Sequence, residues 1–189
     1  MNYKILRVIN INFETIFDTF YQNKINSDSF LGLKKSFFDQ SYVWCNSFAE
    51  RMVEIGNEAI DIIYNFEELQ NMWRLEYSSN QKIDFEKDLS EKLYLIFLEQ
   101  IKFYKPDIIF FGNADLVNDN ILRTLKNLKF IKVLIGFHCA PFSKKIVKKL
   151  SKLDCIVTCT KGYKANLENI LKNEVLLMQH SFPLQHVNK

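Results

Sequence analysis

The sequence predicts an α/β fold: a doubly wound, mainly parallel Rossmann-like sheet of about six strands. Three observations carry this reading. Short apolar runs rich in β-branched and aromatic residues alternate with segments of helical periodicity along most of the chain. The run "DIIFFGN" (107–113) is apolar at nearly every position before its glycine, the composition of a strand that helices cover on both faces. The segments between successive apolar runs are mainly helical in pattern, which gives βαβ units with right-handed crossovers.

The first strand is "YKILRVIN" (3–10). Residues 11–34 lack clean periodicity and read as a long loop with at most one short helix. Residues 36–55 read as a helix, with Phe37, Tyr42, Cys45, Phe48, Met52 and Ile55 spaced mostly by three or four and Gly56 as its stop. "NEAIDIIYN" (57–65) supplies a second strand, and "EELQNMWRLEYSS" (67–79) a short helix that the polar stretch 78–84 breaks. The clearest helix follows: Leu89, Leu93, Ile96, Phe97, Ile101 and Tyr104 form one apolar stripe, ended at Lys105-Pro106 because the residue before proline disfavours helical dihedrals. Beyond the 107–113 strand, helices near 116–128, 143–152 and 162–172 alternate with strands at 132–137, 155–159 and 174–179.

A chain of 189 residues, 48% hydrophobic, buries a core of its own and is expected to form a single domain over 1–189. The 25 basic and 22 acidic residues leave a formal charge of +3, too small to mark a dedicated nucleic-acid protein. No run approaches the roughly 18–20 uncharged residues of a membrane span, and the first strand begins where a signal peptide would lie, so the expected location is cytoplasmic. Cys155 and Cys159 share a strand and stand about 13 Å apart, too far for a disulfide with each other. Reduced thiols are therefore expected at Cys45, Cys139, Cys155 and Cys159. Neither these cysteines nor His138, His180 and His186 follow zinc-ligand spacing, so no metal is expected.

Ligands of open α/β sheets bind outside the carboxyl ends of the strands, so the strand tips hold the candidate residues. The first tip, "VININFETIF", contains no glycine, which excludes both the G-x-G-x-x-G dinucleotide fingerprint and the P-loop; no cofactor is expected. "GNAD" (112–115) offers a carboxylate, Asp115, and an amide, Asn113, either of which could instead cap the helix that follows. "GFHCAP" (136–141) combines Gly136, which permits close backbone approach, with His138, which either exchanges protons near neutral pH or satisfies a backbone group in the turn. Cys139 reads as a small packed side chain, since no partner base is identifiable. The catalytic candidates are His138 and Asp115; the substrate-binding candidates are Asn12, Asn113, Gly136, Phe137, Thr160 and His180. "SKKIVKKLSKL" (143–153) sets Ile146, Val147, Leu150 and Leu153 against five lysines, the pattern of a helix docked on an anionic membrane or of a solvated outer helix.

The order of these motifs resembles the N-terminal half of GT-B glycosyltransferases, the CgeB-like and related glycosyltransferase family 1/4 group. The resemblance rests on 41–77, 98–116, "KVLIGFHCAP" (132–141), 153–168 and "EVLLMQHSFPLQ" (174–185), nearly the whole chain beyond residue 40. It includes Gln70 and Trp73 after the second strand and Lys105-Pro106-Asp107 before the third. At His180-Ser181-Phe182-Pro183 the chain lacks the family's aspartate before proline.

The resemblance implies transfer of a sugar from a nucleotide-sugar donor to a sugar, lipid or protein acceptor, without an obligatory metal. It also implies that this domain shapes the acceptor side while a second, C-terminal domain holds the donor; with the chain ending at Lys189, half of the enzyme is expected here. A stand-alone α/β binding module, contacting a membrane or partner through the 143–153 helix, is the competing expectation. No nucleic-acid partner is expected on either reading.

Overall fold

The computed structural model describes residues 2–11, 14–22, 27–40, 47–78, 88–113 and 116–178. Its six strands are β1 (Lys4–Ile9), β2 (Glu58–Ile63), β3 (Ile108–Phe111), β4 (Val133–Phe137), β5 (Cys155–Thr158) and β6 (Glu174–Leu177). All adjacent pairs are parallel, in the order β2-β1-β3-β4-β5-β6. The fold is thus the expected doubly wound α/β sheet. Only one strand lies beyond β1, where dinucleotide-binding Rossmann sheets carry two.

The helices are α1 (Glu14–Gln22), α2 (Phe30–Asp39), α3 (Ser47–Glu54), α4 (Glu67–Tyr77), α5 (Leu89–Tyr104), α6 (Asp119–Lys126), α7 (Lys144–Leu150) and α8 (Lys161–Ile170). The region expected as a loop, 11–34, holds α1 and the start of α2. The buried stripe of α2, Phe30, Leu33, Phe37 and Phe38, crosses the boundary drawn at residue 34, and Ser29 caps the helix by accepting from the Gly32 amide at 3.2 Å. Helix 36–55 is correspondingly two helices: Phe37 belongs to α2, and Phe48 and Met52 belong to α3. Tyr42 and Cys45 lie outside the described residues. Gly56 does end α3, with φ 88°. Lys105 ends α5 in the left-handed region, φ 47°, rather than in the extended conformation usual before proline.

Right-handed crossovers distribute the helices between the two faces. One face carries Leu6, Val8, Ile109, Phe111, Leu134, Ile156 and Val175 under α5, α6, α7 and α8. On the other, Ile9 and Ile63 meet the aromatic layer of α1, α2 and α4, where Phe20, Phe37 and Phe66 pack edge to face or tilted. Gln70 and Trp73 serve this packing. Gln70 Nε2 donates to the Ile63 carbonyl at 2.7 Å, and Trp73 Nε1 donates to the Tyr104 hydroxyl at 3.0 Å, joining α4 to β2 and to α5.

Two charged residues interrupt the apolar strands. Arg7 and Asp61 are register partners on β1 and β2, and Arg7 Nε donates to Asp61 Oδ1 at 2.5 Å with side chains 6% and 0% exposed. The guanidinium lies 4.7 Å from the Phe48 ring centroid, so α3 closes over the pair. Burial pushes the Asp61 carboxyl up, and the charge and hydrogen bond of Arg7 oppose that push.

The amino edge is organised by side chains that cap neighbouring strands. The Tyr3 amide donates to Asn57 Oδ1 at 3.1 Å, the Lys4 amide to Asp107 Oδ2 at 2.8 Å, and the Leu134 amide to Asp154 Oδ2 at 2.8 Å. Asp107 also pairs with Lys132 Nζ at 2.7 Å. The Lys132 ammonium, aided by the Lys4 amide, holds the Asp107 carboxyl below the ordinary value of 3.8.

Two outcomes are expected. Arg7→Met strands the Asp61 charge in the core and lowers unfolding free energy by about 3–5 kcal/mol in urea titrations, while Arg7→Met combined with Asp61→Leu recovers most of the loss. Because the folded-state pKa of Asp107 is depressed, its contribution is complete above pH 3.8 and disappears as pH falls through the lowered folded value. Asp107→Asn should therefore reduce stability at neutral pH and flatten the acid limb of the stability curve below pH 4, measured by thermal unfolding across pH.

Candidate functional site

The order of the strands reverses at β1, whose neighbours β2 and β3 are reached by connections on opposite faces. This is where an open α/β sheet leaves a crevice at its carboxyl edge. Continuing the observed register one or two residues beyond the last paired positions places Tyr64, Asn10, Asn113, His138 and Thr158 in one row. By the period-two alternation of strands, all five occupy the face covered by α5 to α8. Ring contacts agree: Tyr64 meets Phe97 of α5 at 5.7 Å and His138 meets Phe142 at 6.2 Å.

Backbone hydrogen bonds hold this row in place. The Tyr64 amide donates to the Ile9 carbonyl at 2.8 Å, Gly112 to Val8 at 2.8 Å and His138 to Val157 at 2.9 Å. Asn65 clamps the first two tips by accepting from the Ile11 amide at 2.8 Å and donating to the Ile11 carbonyl at 2.7 Å. Asn10 Oδ1 and Thr158 Oγ1 are buried and make no hydrogen bond. The same holds of Gln70 Oε1 in α4 and Gln100 Oε1 in α5, so unpaired buried oxygens are not confined to the carboxyl edge.

At the Tyr64 end of the row a cleft of about 550 Å³ opens between the amino ends of α5 and α6. Its walls carry Tyr64, Tyr94, Asp88, Glu91, Asn118 and Asp119. Tyr94 shares a hydrogen bond with Thr124 at 3.0 Å, and burial together with Tyr94 pushes the Tyr64 hydroxyl up, so Tyr64 stays a neutral hydrogen-bonding group at ordinary pH. Asp119 is an ion pair with Lys152, which draws its carboxyl down. The cleft thus offers carboxylates, amides and phenols, groups suited to a ligand rich in hydroxyls.

The sequence-predicted residues divide. His138 and Asn113 lie in the row. Gly136 is buried within β4, where a Cβ would collide with Leu153, so its close approach is to the core. Gly112 likewise admits β1: a Cβ there would meet Ile9 at 3.0 Å. Phe137 points to the opposite face with Phe110 and Val157. Thr160 is the N-cap of α8, accepting from the Tyr163 amide at 3.1 Å. The cap of α6 is Asn118, which accepts from the Ile121 amide at 2.9 Å, rather than Asn113. Asn12, Asp115 and His180 lie outside the described residues.

Asn10 and Thr158 begin two of the strand tips that the sequence marks, though neither is a named candidate, and Tyr64 lies outside those tips. Their signal is a polar residue at the last alternating position of an apolar strand, which becomes decisive only when the register is known. The cleft residues carry no such signal, since α5 and α6 meet only through the fold.

The expectation of four reduced thiols is corrected at one pair: Cys139 and Cys159 are joined as a disulfide, with Cα atoms 5.6 Å apart. Spacing along β5 forbids a bond between Cys155 and Cys159, but Cys139 and Cys159 face each other across adjacent strands two residues past the Phe137–Val157 pair. Cys155 remains a free, buried thiol, pushed up by burial. Among the described residues no group of histidine, cysteine and carboxylate side chains is arranged to hold a metal, and no helix is long and apolar enough to cross a membrane.

No family model matches the chain, and no curated protein or solved structure does so either.

Proposed function

We propose that this domain is the acceptor-side half of a two-domain glycosyltransferase, contributing acceptor binding to sugar transfer from a nucleotide-sugar donor. The observation that carries the reading is the hydroxyl-compatible cleft beside the carboxyl-edge row at the reversal of strand order. The motif series that resembles GT-B N-terminal domains supports it, as does a first strand tip without a phosphate-binding glycine. On this reading His138 takes the proton of the acceptor hydroxyl as the sugar is transferred, and Asp115 is the alternative base. The donor and the charge of its leaving diphosphate belong to a second domain.

The test is sugar transfer by the complete enzyme from a panel of nucleotide sugars. His138→Ala or Asp115→Asn, whichever removes the base, is expected to lower kcat by about 10²–10⁴-fold. Asp119→Asn is expected to raise acceptor KM with a smaller change in kcat. Full turnover in both base variants would remove the site assignment, and absence of transfer with every donor would remove the function.

A charge asymmetry favours a second reading, docking on an anionic surface. Residues 116–178 carry 12 basic and 4 acidic residues, whereas residues 1–115 carry 12 basic and 18 acidic. In α7 the apolar residues Ile146, Val147 and Leu150 pack on the sheet core, which leaves electrostatics as the means of contact. Co-sedimentation with vesicles containing phosphatidylserine should then fall with salt and disappear on Lys144→Glu, Lys145→Glu and Lys148→Glu together. Binding that is unchanged by the triple substitution would reject it.

A further inference from the structure

The cysteines at the tips of β4 and β5 occupy the two turns that border His138. Cys139 follows His138 directly, and Cys159 precedes Thr160, the N-cap of α8. The same turns touch through aromatic rings: His138 against Phe142 at 6.2 Å, and Phe142 against Tyr163 of α8 at 6.3 Å. A covalent bond between the two cysteines therefore ties together the segment that carries His138 and the first turn of α8. Both cysteines are half-buried, within reach of a small reagent, whereas Cys155 is buried at the start of β5. The Cα separation of 5.6 Å lies inside the range a disulfide spans, so the bond can close and open without moving either strand.

We propose that Cys139 and Cys159 are a reversible dithiol–disulfide pair that locks the β4–α7 and β5–α8 turns and so sets the mobility of His138. The co-reactant is a small-molecule disulfide of the glutathione type. Cys159, which immediately precedes the N-cap of α8, is the attacking sulfur. Its thiolate attacks one sulfur of the reagent, breaking the reagent's S–S bond, forming a mixed disulfide and expelling one small thiolate. The Cys139 thiolate then attacks Cys159 Sγ, forming the protein disulfide and expelling the second small thiolate. Two protein thiols lose two protons and two electrons, and the reagent's disulfide becomes two thiols.

The full chain is equilibrated in mixtures of reduced and oxidised glutathione, alkylated and digested for mass spectrometry. A peptide pair joined through Cys139 and Cys159 should dominate at the oxidising end and vanish at the reducing end, independently of protein concentration. Cys155→Ser should leave that titration unchanged, while Cys139→Ser and Cys159→Ser should each abolish it. Hydrogen exchange of the described amides in 138–143 and 159–163 should be several-fold faster in the reduced state, and the His138 imidazole resonances should move. A bond that never forms in excess oxidant, or never opens in excess reductant, overturns the exchange. Equal exchange rates and unmoved His138 resonances in the two states overturn the lock. Because wild-type protein is compared in two redox states, the outcome does not depend on how well the serine variants fold.

Discussion

The handedness of the crossovers is the constraint on which the rest of the molecule depends. A right-twisted parallel strand connects to its neighbour by a right-handed path, so the direction in which the chain moves across the sheet decides which face each helix covers. From β1 the chain moves one way to β2 and then back past β1 to β3. The helices between β1 and β2 therefore cover one face and α5 to α8 the other, while α4, in the same connection as α5, packs with α1 and α2. The reversal parts the loops at the tips of β1 and β3, and the carboxyl-edge row and the cleft lie beside that parting.

Polar groups inside the fold follow from the same geometry. Strand register aligns Arg7 with Asp61, and α3 seals them, so each buried charge is opposed by the other, with Lys34 adding to the positive side. At the amino edge Asn57, Asp107 and Asp154 satisfy strand amides that would otherwise end unpaired. At the carboxyl edge the analogous positions hold Asn10 and Thr158, whose buried oxygens are left without partners. Asn65 nevertheless ties the tips of β1 and β2 there, accepting from the Ile11 amide and donating to the Ile11 carbonyl.

Much of the fold was legible. The α5 stripe, buried at Leu93, Ile96, Phe97 and Ile101 with Leu89 at its start exposed, has enough turns for its period to be unambiguous, and the glycine after α3 does stop it. Residues 11–55 are less legible because three short helices, α1, α2 and α3, mimic a loop and one longer helix when read as a single period. The site was less legible. His138 and Asn113, which follow long apolar runs, fall in the carboxyl-edge row, but Gly136, expected to face a ligand, makes room for Leu153. A glycine looks the same in sequence whether a ligand or a leucine approaches it.

The sequence by itself determined that the chain alternates strand and helix, that the strands are buried on both faces, and that no glycine-rich phosphate loop follows the first strand. These are properties of local composition and period, which survive without knowledge of what packs on what. Only the tertiary structure decided the strand order, with a single strand beyond β1, and with it the pairing of Cys139 with Cys159 and of Arg7 with Asp61. It also decided that Tyr64, Asn10, Asn113, His138 and Thr158 share an edge. Each of these joins residues 20 or more positions apart along at least one step, and such contacts depend on register and crossover direction, which no local pattern encodes.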